Sequence, residues 1–527
     1  MVAEQTDVCV IIEEGGGIIE IAQDMNNIWV AFVLVICVGL ASLDTAVVAS
    51  ALKAIVGELG AEPLVPFVGS SYLIGTAAVG ALYGKLAGVF GRRAALLGAV
   101  VLFALGSLLS AAAPSMPFLV FGRAVCGLGG GGLFTMAYII MADVFVPSIR
   151  GKYQAVLSTT YGVSSAIAPL IGGILSDRTS WRWCFYINLP AAILLIPAVF
   201  YFIRLPVPSG SFTEKLRRID FLGTALIFTV ISTLVTALQL GGSYWAWNSP
   251  PIILLFIITA IILFIFVIVQ MYIATEPIIP ATIFVNSSVT AILISSICIG
   301  ATSFPALYYL ALFFQLVNND NATDAGVKTI PYVIGFIVMS FGTGFLISNT
   351  GKYKLYFFIG SVFTLIGLAF TARFNSDTSI TEKLFVLVVL GFGIGVLTSI
   401  RMLAIQFSVP KELIAIASGV TQTMGTLGGS IGIAISGTIF NNEIIANIES
   451  NGILNSAMLS LIEQGYIVDP TEVLAFSNLL TAVPALVING TEANSQLIQA
   501  FTDSYRVAYF SLFIYPIAIL IAAVGFI

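Results

Sequence analysis

The sequence predicts an all-α integral membrane fold: two six-helix bundles with two further transmembrane helices inserted between them, fourteen spans in all. Three observations carry this. Of the 527 residues, 58% are hydrophobic and only 9% are charged, where a soluble domain carries about 25% charged residues. Apolar runs of the ~20 residues needed to cross a bilayer recur along the whole chain. A short pattern of glycines and a cation also appears twice, at matching turns of the two halves.

Residues 1–27 hold six carboxylates and no Lys or Arg. A secretory leader needs a positive start, so this stretch reads as an acidic cytosolic tail. Spans follow at 28–51, 66–86, 94–113, 117–142, 154–175 and 185–204, the N-terminal bundle of 28–204. The linker 205–287 contains the inserted pair, 220–240 and 251–273. The C-terminal bundle, 288–527, has spans at 288–314, 328–349, 355–373, 383–406, 414–440 and 506–526, with a long non-cytosolic loop at 441–505.

An even count puts both termini on one side. Placing that side in the cytosol leaves twelve Lys/Arg on cytosolic segments and seven on the others, as the positive-inside rule expects. Glycosylation sequons at Asn321 and Asn489 fall on non-cytosolic loops, whereas the one at Asn286 falls on the cytosolic side and should stay bare.

Composition excludes several function classes. With no histidine, histidine-based zinc sites, Ser-His-Asp catalysis and histidine proton relays are ruled out. The five cysteines have no metal-ligand spacing and read as small apolar fillers. A net charge of −5 without a basic run argues against nucleic acid. No catalytic cluster is visible, so neither an enzyme nor a cofactor or metal is expected.

The repeat is GKLAGVFGRRA, Gly84 to Ala94, and GFLISNTGKYK, Gly344 to Lys354. Both follow Gly-x-Leu-x-x-x-x-Gly-[Arg/Lys], between the second and third spans of a half once the inserted pair is set aside. Glycines permit a tight turn and close helix approach; cations just past a helix end suit the helix dipole and the cytosolic leaflet. Gly84, Gly91, Arg92, Arg93, Gly351 and Lys352 are therefore candidate switching residues, or simply topogenic charges and turn formers. Two six-helix halves around a midplane site is a transporter architecture.

An ionisable group inside a span is a functional candidate because burying it is costly. Asp44 is the one carboxylate placed well inside a span. Arg123 sits at a similar depth, on the order of 10 Å below the outer surface at 1.5 Å per residue, so an ion pair is open to them, either fixed or exchanging with a proton. Arg401, nearer the cytosolic end of its span, is within snorkelling reach; contact with an anionic substrate is the alternative. Candidates for a central cavity are Tyr72, Tyr161, Tyr308, Tyr309, Gln315, Gln406 and Gln422.

The chain resembles the major facilitator superfamily, specifically its fourteen-helix drug:proton antiporter branch. Gly84 to Arg93 looks like the loop signature of that family, with Gly88 where an acidic residue is usual. LDTAVVASAL, Leu43 to Leu52, matches the first-helix signature and FLVFGRAVCGLGGGG, Phe118 to Gly132, the fourth. GVSSAIAPLIGG, Gly162 to Gly173, is similar to the antiporter signature of the fifth and contains Pro169, Gly172 and Gly173. WRWCFYINLP, Trp181 to Pro190, is typical of the branch, and RRIDFLGT, Arg217 to Thr224, resembles it around the inserted pair.

The resemblance implies a monomeric, proton-coupled antiporter of small organic compounds in the plasma or vacuolar membrane. Vacuolar import of basic amino acids, siderophore transport and a non-transporting solute sensor are alternatives. In the family the acidic residue at the position of Gly88 latches the halves together. Without it, either the cytosolic face rests more open or another carboxylate replaces the latch, with Asp143, near Arg150, as the candidate.

Overall fold

The structure is a computed structural model, describing residues 17–60, 64–242, 245–318, 320, 322–350, 352–450 and 492–525. The N-terminal half comprises α1 (Gly17–Leu59), α2 (Val65–Phe90), α3 (Arg92–Ala111), α4 (Met116–Val144), α5 (Pro147–Arg178), the short α6 (Trp183–Tyr186) and α7 (Asn188–Phe202). A surface turn, α8 (Phe212–Arg217), leads to the inserted pair α9 (Phe221–Leu240) and α10 (Pro250–Ile268). The second half comprises α11 (Ser287–Leu316), α12 (Ala322–Thr350), α13 (Tyr353–Thr371), α14 (Ile380–Ser408), α15 (Ile414–Ser450), α16 (Glu492–Ser511) and α17 (Ile514–Gly525). Fourteen helical stretches among the described residues are long and apolar enough to cross a membrane.

Both halves are wired alike. In the first, α1 packs on α5, α4 on α2 and α3, and α7 on α1 and α3. In the second, α11 packs on α15, α14 on α12 and α13, and α17 on α11 and α13. The halves join through α5 on α12 and α2 on α15, which exchange under the same correspondence. Such pairing is what an internal repeat around a pseudo-two-fold axis produces.

Burial separates central from peripheral helices. In the most apolar 18-residue window of the α4 span, 83% of residues are buried; for the α10 span the figure is 22%. The glycines Gly127 and Gly129 to Gly132 explain the first value, because they let α2 and α3 approach the α4 backbone. The inserted helices pack on each other, with Thr259 donating to Thr233 at 2.7 Å, and α9 packs against α2 and α15 through Ile231 and Val235. Asp220 of the RRIDFLGT string caps α9, accepting from the Gly223 amide at 2.7 Å and from Gln270 at 2.5 Å.

Helices overrun several spans expected from hydropathy. α1 starts at Gly17, inside the acidic tail, and ends at Leu59; α15 continues to Ser450 and α16 begins at Glu492, both inside the stretch expected to be loop. Hydropathy marks where the bilayer ends, whereas a helix ends where capping and turn chemistry stop it. Polar residues such as Asn442 and Glu443 lie within α15 without ending it. Residues 451–491 of the expected loop, the sequons at Asn321 and Asn489, and Gly351 lie outside the described residues.

Candidate functional site

Asp44 and Arg123 meet. Both are fully buried, and Arg123 Nη1 donates to Asp44 Oδ2 at 2.5 Å. Arg123 Nε donates to the Val68 carbonyl at 3.2 Å. Its guanidinium lies 4.5 Å from the ring centroid of Tyr72 and 5.5 Å from that of Phe185. The other carboxylate oxygen of Asp44 accepts from Asn188 Nδ2 at 2.8 Å, and Asn188 is also 3.3 Å from Ser107 Oγ. Cys126 Sγ stands 3.6 Å from Oδ2. Asp44 is the only buried carboxylate among the described residues, and it has donors from α4 and α7. An intramembrane charge persists only with such partners.

The whole cluster belongs to the N-terminal half, so rigid rocking of one half against the other leaves it intact. Tyr72, expected in the central cavity, instead lies here, 1% exposed, with its hydroxyl donating to the Ala41 carbonyl at 3.1 Å. Its ring lies under the Arg123 guanidinium, a favourable cation–π contact. Asn188, Ser107 and Cys126 were not singled out from sequence. Asn188 stands inside the WRWCFYINLP string, where a lone amide in an apolar span was the available signal.

That string also closes the end of the N-terminal half away from the repeated turns. Glu58 accepts from Trp181 Nε1 at 2.7 Å and Arg182 Nη1 at 2.5 Å, while Arg182 Nη2 reaches the Ala113 carbonyl at 3.0 Å. The bonds from Arg182, then Trp181, hold the Glu58 carboxyl below its ordinary range.

The repeated turns lie at the other, basic end, where the halves are sealed. There α2 meets α15 so closely that a Cβ on Gly84 would stand 2.5 Å from the Ala415 carbonyl oxygen, and one on Gly80 2.5 Å from Thr423 Oγ1. Thr423 donates to the Ala77 carbonyl at 2.9 Å. On the symmetric side, Gly151 of α5 meets Gly344 of α12 backbone to backbone, and Lys152 lies over the ring of Phe345 at 4.8 Å. Between these contacts, Gln154 Nε2 donates to Gln406 Oε1 at 2.6 Å, and Gln406 donates to Ser418 at 3.2 Å. Gln406, 3% exposed, is therefore a seal residue and not an open cavity wall.

Asp143 does not bridge the halves. It accepts from Arg92 at 2.8 Å within the N-terminal half, because both residues lie at the same end of neighbouring helices. Arg150 instead donates to the carbonyls of Ala142, at 2.7 Å, and Phe145. The acid that does span is Glu276, which sequence reasoning missed. It accepts from Lys85 of the repeated turn at 2.7 Å and from Arg218 at 2.8 Å. The next residues of its loop, Ile278 and Ile283, are buried in the core of the second half. Its bonds to Arg218 and Lys85 hold its carboxyl below the usual carboxylate range.

Gly91 has φ +91°, so the turn demands glycine there. Arg93 lies over Phe200 at 3.6 Å, and Lys352 is exposed. In α5, Gly172 lets α1 approach at Val47, Pro169 is half-buried, and Gly173 has open space where a Cβ would stand. Gly88 likewise meets nothing within 4 Å.

Of the remaining cavity candidates, Tyr161 is half-buried, with its ring centroid 5.9 Å from that of Phe134 and 6.4 Å from that of Phe336 across the interface between halves. Tyr308 and Gln315 are exposed along one face of α11. Tyr309, beside Tyr308, is 3% exposed and packs against Phe440 in the core of the second half. Gln422 is buried beside Arg401.

Comparison with known proteins agrees with this architecture. The sequence model of the Major Facilitator Superfamily matches residues 34–433. The chain is 31% identical over 438 residues to the efflux pump roqT of Penicillium rubens, covering 82% of this chain and 81% of that protein. It is 29% identical over 480 residues to the MFS-type efflux pump MFS1 of Arthroderma benhamiae, covering 90% and 85%. The solved proton:xylose symporter XylE superposes with a TM-score of 0.59 at 15% identity, over 95% of each chain. This chain belongs to the major facilitator superfamily and is a multi-pass secondary transporter acting on small molecules, not an enzyme.

Proposed function

We propose that the protein exports small organic compounds by exchange with protons, working as a monomer with both termini in the cytosol. The observation that carries the proton half is the buried Asp44, held by Arg123 and Asn188. Among the described residues no other carboxylate is buried, and histidine is absent from the chain. The outward direction rests on similarity to fungal efflux pumps. Plasma and vacuolar membranes suit this reading equally.

Because the cluster moves as one body with its half, the proton must act from inside that half. Protonating Asp44 would release Arg123 and Asn188, and their new partners on α1, α4 and α7 would change how the half meets its mate. Proteoliposomes test this with two assays on one variant. Asp44→Asn should lose accumulation driven by a pH gradient while retaining substrate exchange at equal pH. Accumulation equal to wild type excludes Asp44 as the proton carrier. Removing one partner of a buried pair costs about 3–5 kcal/mol in soluble proteins, so the neutral pair Asp44→Asn with Arg123→Gln serves as a folding control.

A further inference from the structure

Arg401 is an intramembrane cation that pairs with no carboxylate among the described residues. It sits on α14, seven residues before Ser408, and does not snorkel to the near end. Its guanidinium points across to α15, where Nη2 donates to Gln422 Oε1 at 3.4 Å and a planar nitrogen fills the space a side chain at Gly425 would need. Gly425 is eleven residues into α15, roughly 17 Å along the helix axis at 1.5 Å per residue. The charge therefore lies deep in the bundle, just inside the Gln154–Gln406 seal.

Among the described residues Arg401 takes part in none of the ion pairs, and its buried Nε has no hydrogen-bond partner. Its electrostatic neighbours are the phenols of Tyr138 and Tyr161, from the other half. The other buried cations differ in having carboxylates within electrostatic reach: Asp44 for Arg123, Asp143 for Arg150, and Asp320 and Asp377 for Lys383. Arg150 and Lys383 also bond neutral oxygens, two backbone carbonyls and Asn318 at 3.2 Å, as Arg401 does Gln422. Yet the Arg401 side chain keeps partial accessibility, and the rings of Phe134, Tyr161 and Phe336 line the interface between halves nearby.

We infer that Arg401 is the anchor for an anionic cargo: an organic carboxylate or similarly acidic group on an apolar, aromatic-compatible body. The physical argument is one of missing charge. A guanidinium offers five donors in a planar fork that fits a carboxylate with two parallel bonds, and an unpaired one inside a membrane is costly. A charge retained without a carboxylate partner among the described residues, between the two halves and beside aromatic rings, has the composition of a binding subsite: mostly apolar walls with one convergent polar group. Gly425 is the space that lets the fork stand there. The inference rests on the transporter reading and names the cargo class for it.

Two experiments test it. The first needs no ligand. In detergent, ligand-free Arg401→Gln and Arg401→Met should melt at or above the wild-type temperature, since a binding charge is held at a cost to stability; a clear fall in melting temperature marks Arg401 as structural and overturns the inference. The second uses 1-pyrenebutyrate and its methyl ester as fluorescent probes of purified wild-type protein. Wild type should bind the acid at least tenfold more tightly than the ester. Arg401→Gln and Gly425→Ala should abolish that preference, and Arg401→Lys should keep part of it. Equal binding of acid and ester by wild type, no binding of either, or an unchanged preference in Arg401→Gln overturns the inference. Competition with inorganic phosphate distinguishes a site for small ions: displacement at the concentration where unlabelled naphthoate displaces the probe would refute an organic cargo. Transport of neutral compounds without any acid preference leaves the transporter reading standing and this inference refuted; absence of all transport in vesicles refutes the transporter reading itself.

Discussion

Replacing Gly84 by alanine adds one methyl group where the seal has no room for it. In the sealed structure that Cβ would lie 2.5 Å from the Ala415 carbonyl oxygen and 2.9 Å from Ile416 Cα. Real Cβ contacts essentially never fall under 3.0 Å, so α2 and α15 must separate by about half an ångström, and both obstructing atoms are backbone. Overpacking of this kind costs about 1–3 kcal/mol. The gain in helix propensity from Gly to Ala, ~1 kcal/mol, applies in every state and cancels. The strain exists only when the basic end is closed, so the closed population should fall by roughly 5- to 150-fold relative to open. Gly88→Ala, in the same turn but with nothing within 4 Å, should leave the balance unchanged. The assay is the labelling rate of a cysteine placed at Ser418, which is 1% exposed in the seal, with a chain lacking the reporter controlling for native cysteines. A faster rate for Gly84→Ala and a wild-type rate for Gly88→Ala are expected. Equal rates for the two variants would refute the argument that close packing at Gly84 holds the seal.

Other variants probe other contacts. Glu276→Gln removes the acid that ties Lys85 to the loop leading into the second half; the pair is part-exposed, so at most ~1 kcal/mol is expected, read as up to about fivefold faster labelling at Ser418. Because the Glu276 carboxyl is held below its ordinary range, the wild-type tie is complete above the unfolded carboxylate pKa and is lost only as pH falls through the depressed folded value. Labelling from this cause should therefore be flat between pH 5 and 8; a rise within that window would contradict the assignment. Asn188→Ala removes the Nδ2 donor to Asp44 and should lower the thermal stability of the N-terminal half by about 1.5–3 kcal/mol, the worth of a hydrogen bond to a charged group, measured as a drop in melting temperature in detergent. Gln154→Leu leaves Gln406 Oε1 without its 2.6 Å donor in the closed state and should open the seal by about 1–3 kcal/mol, again seen as faster labelling at Ser418.

Membrane insertion, fourteen spans and the two-half repeat were legible in the sequence because they depend on composition and spacing, which are local. The loop motif with its two turns, the buried Asp44 and the intramembrane Arg123 were legible for the same reason: a charge in an apolar run stands out. What sequence could not supply was which helix faces which. Tyr72, Tyr309 and Gln406 looked alike as polar groups in apolar spans, yet one stacks under Arg123, one fills a core and one closes the seal. Asp143 and Glu276 were both acids near the basic end, but only Glu276 lies on a loop rooted in the other half. For Arg401 the sequence left both a reach to the near surface and an anionic-substrate contact open, since nothing in one dimension shows that Gly425 leaves it a space deeper in. By itself, then, the sequence determined how often the chain crosses the bilayer and which charges it carries across. Tertiary packing alone decided which charges are answered, because partners come from elements as far apart as 191 residues, as Lys85 and Glu276 are, and helix rotation within a bundle is set by neighbours that no local pattern encodes.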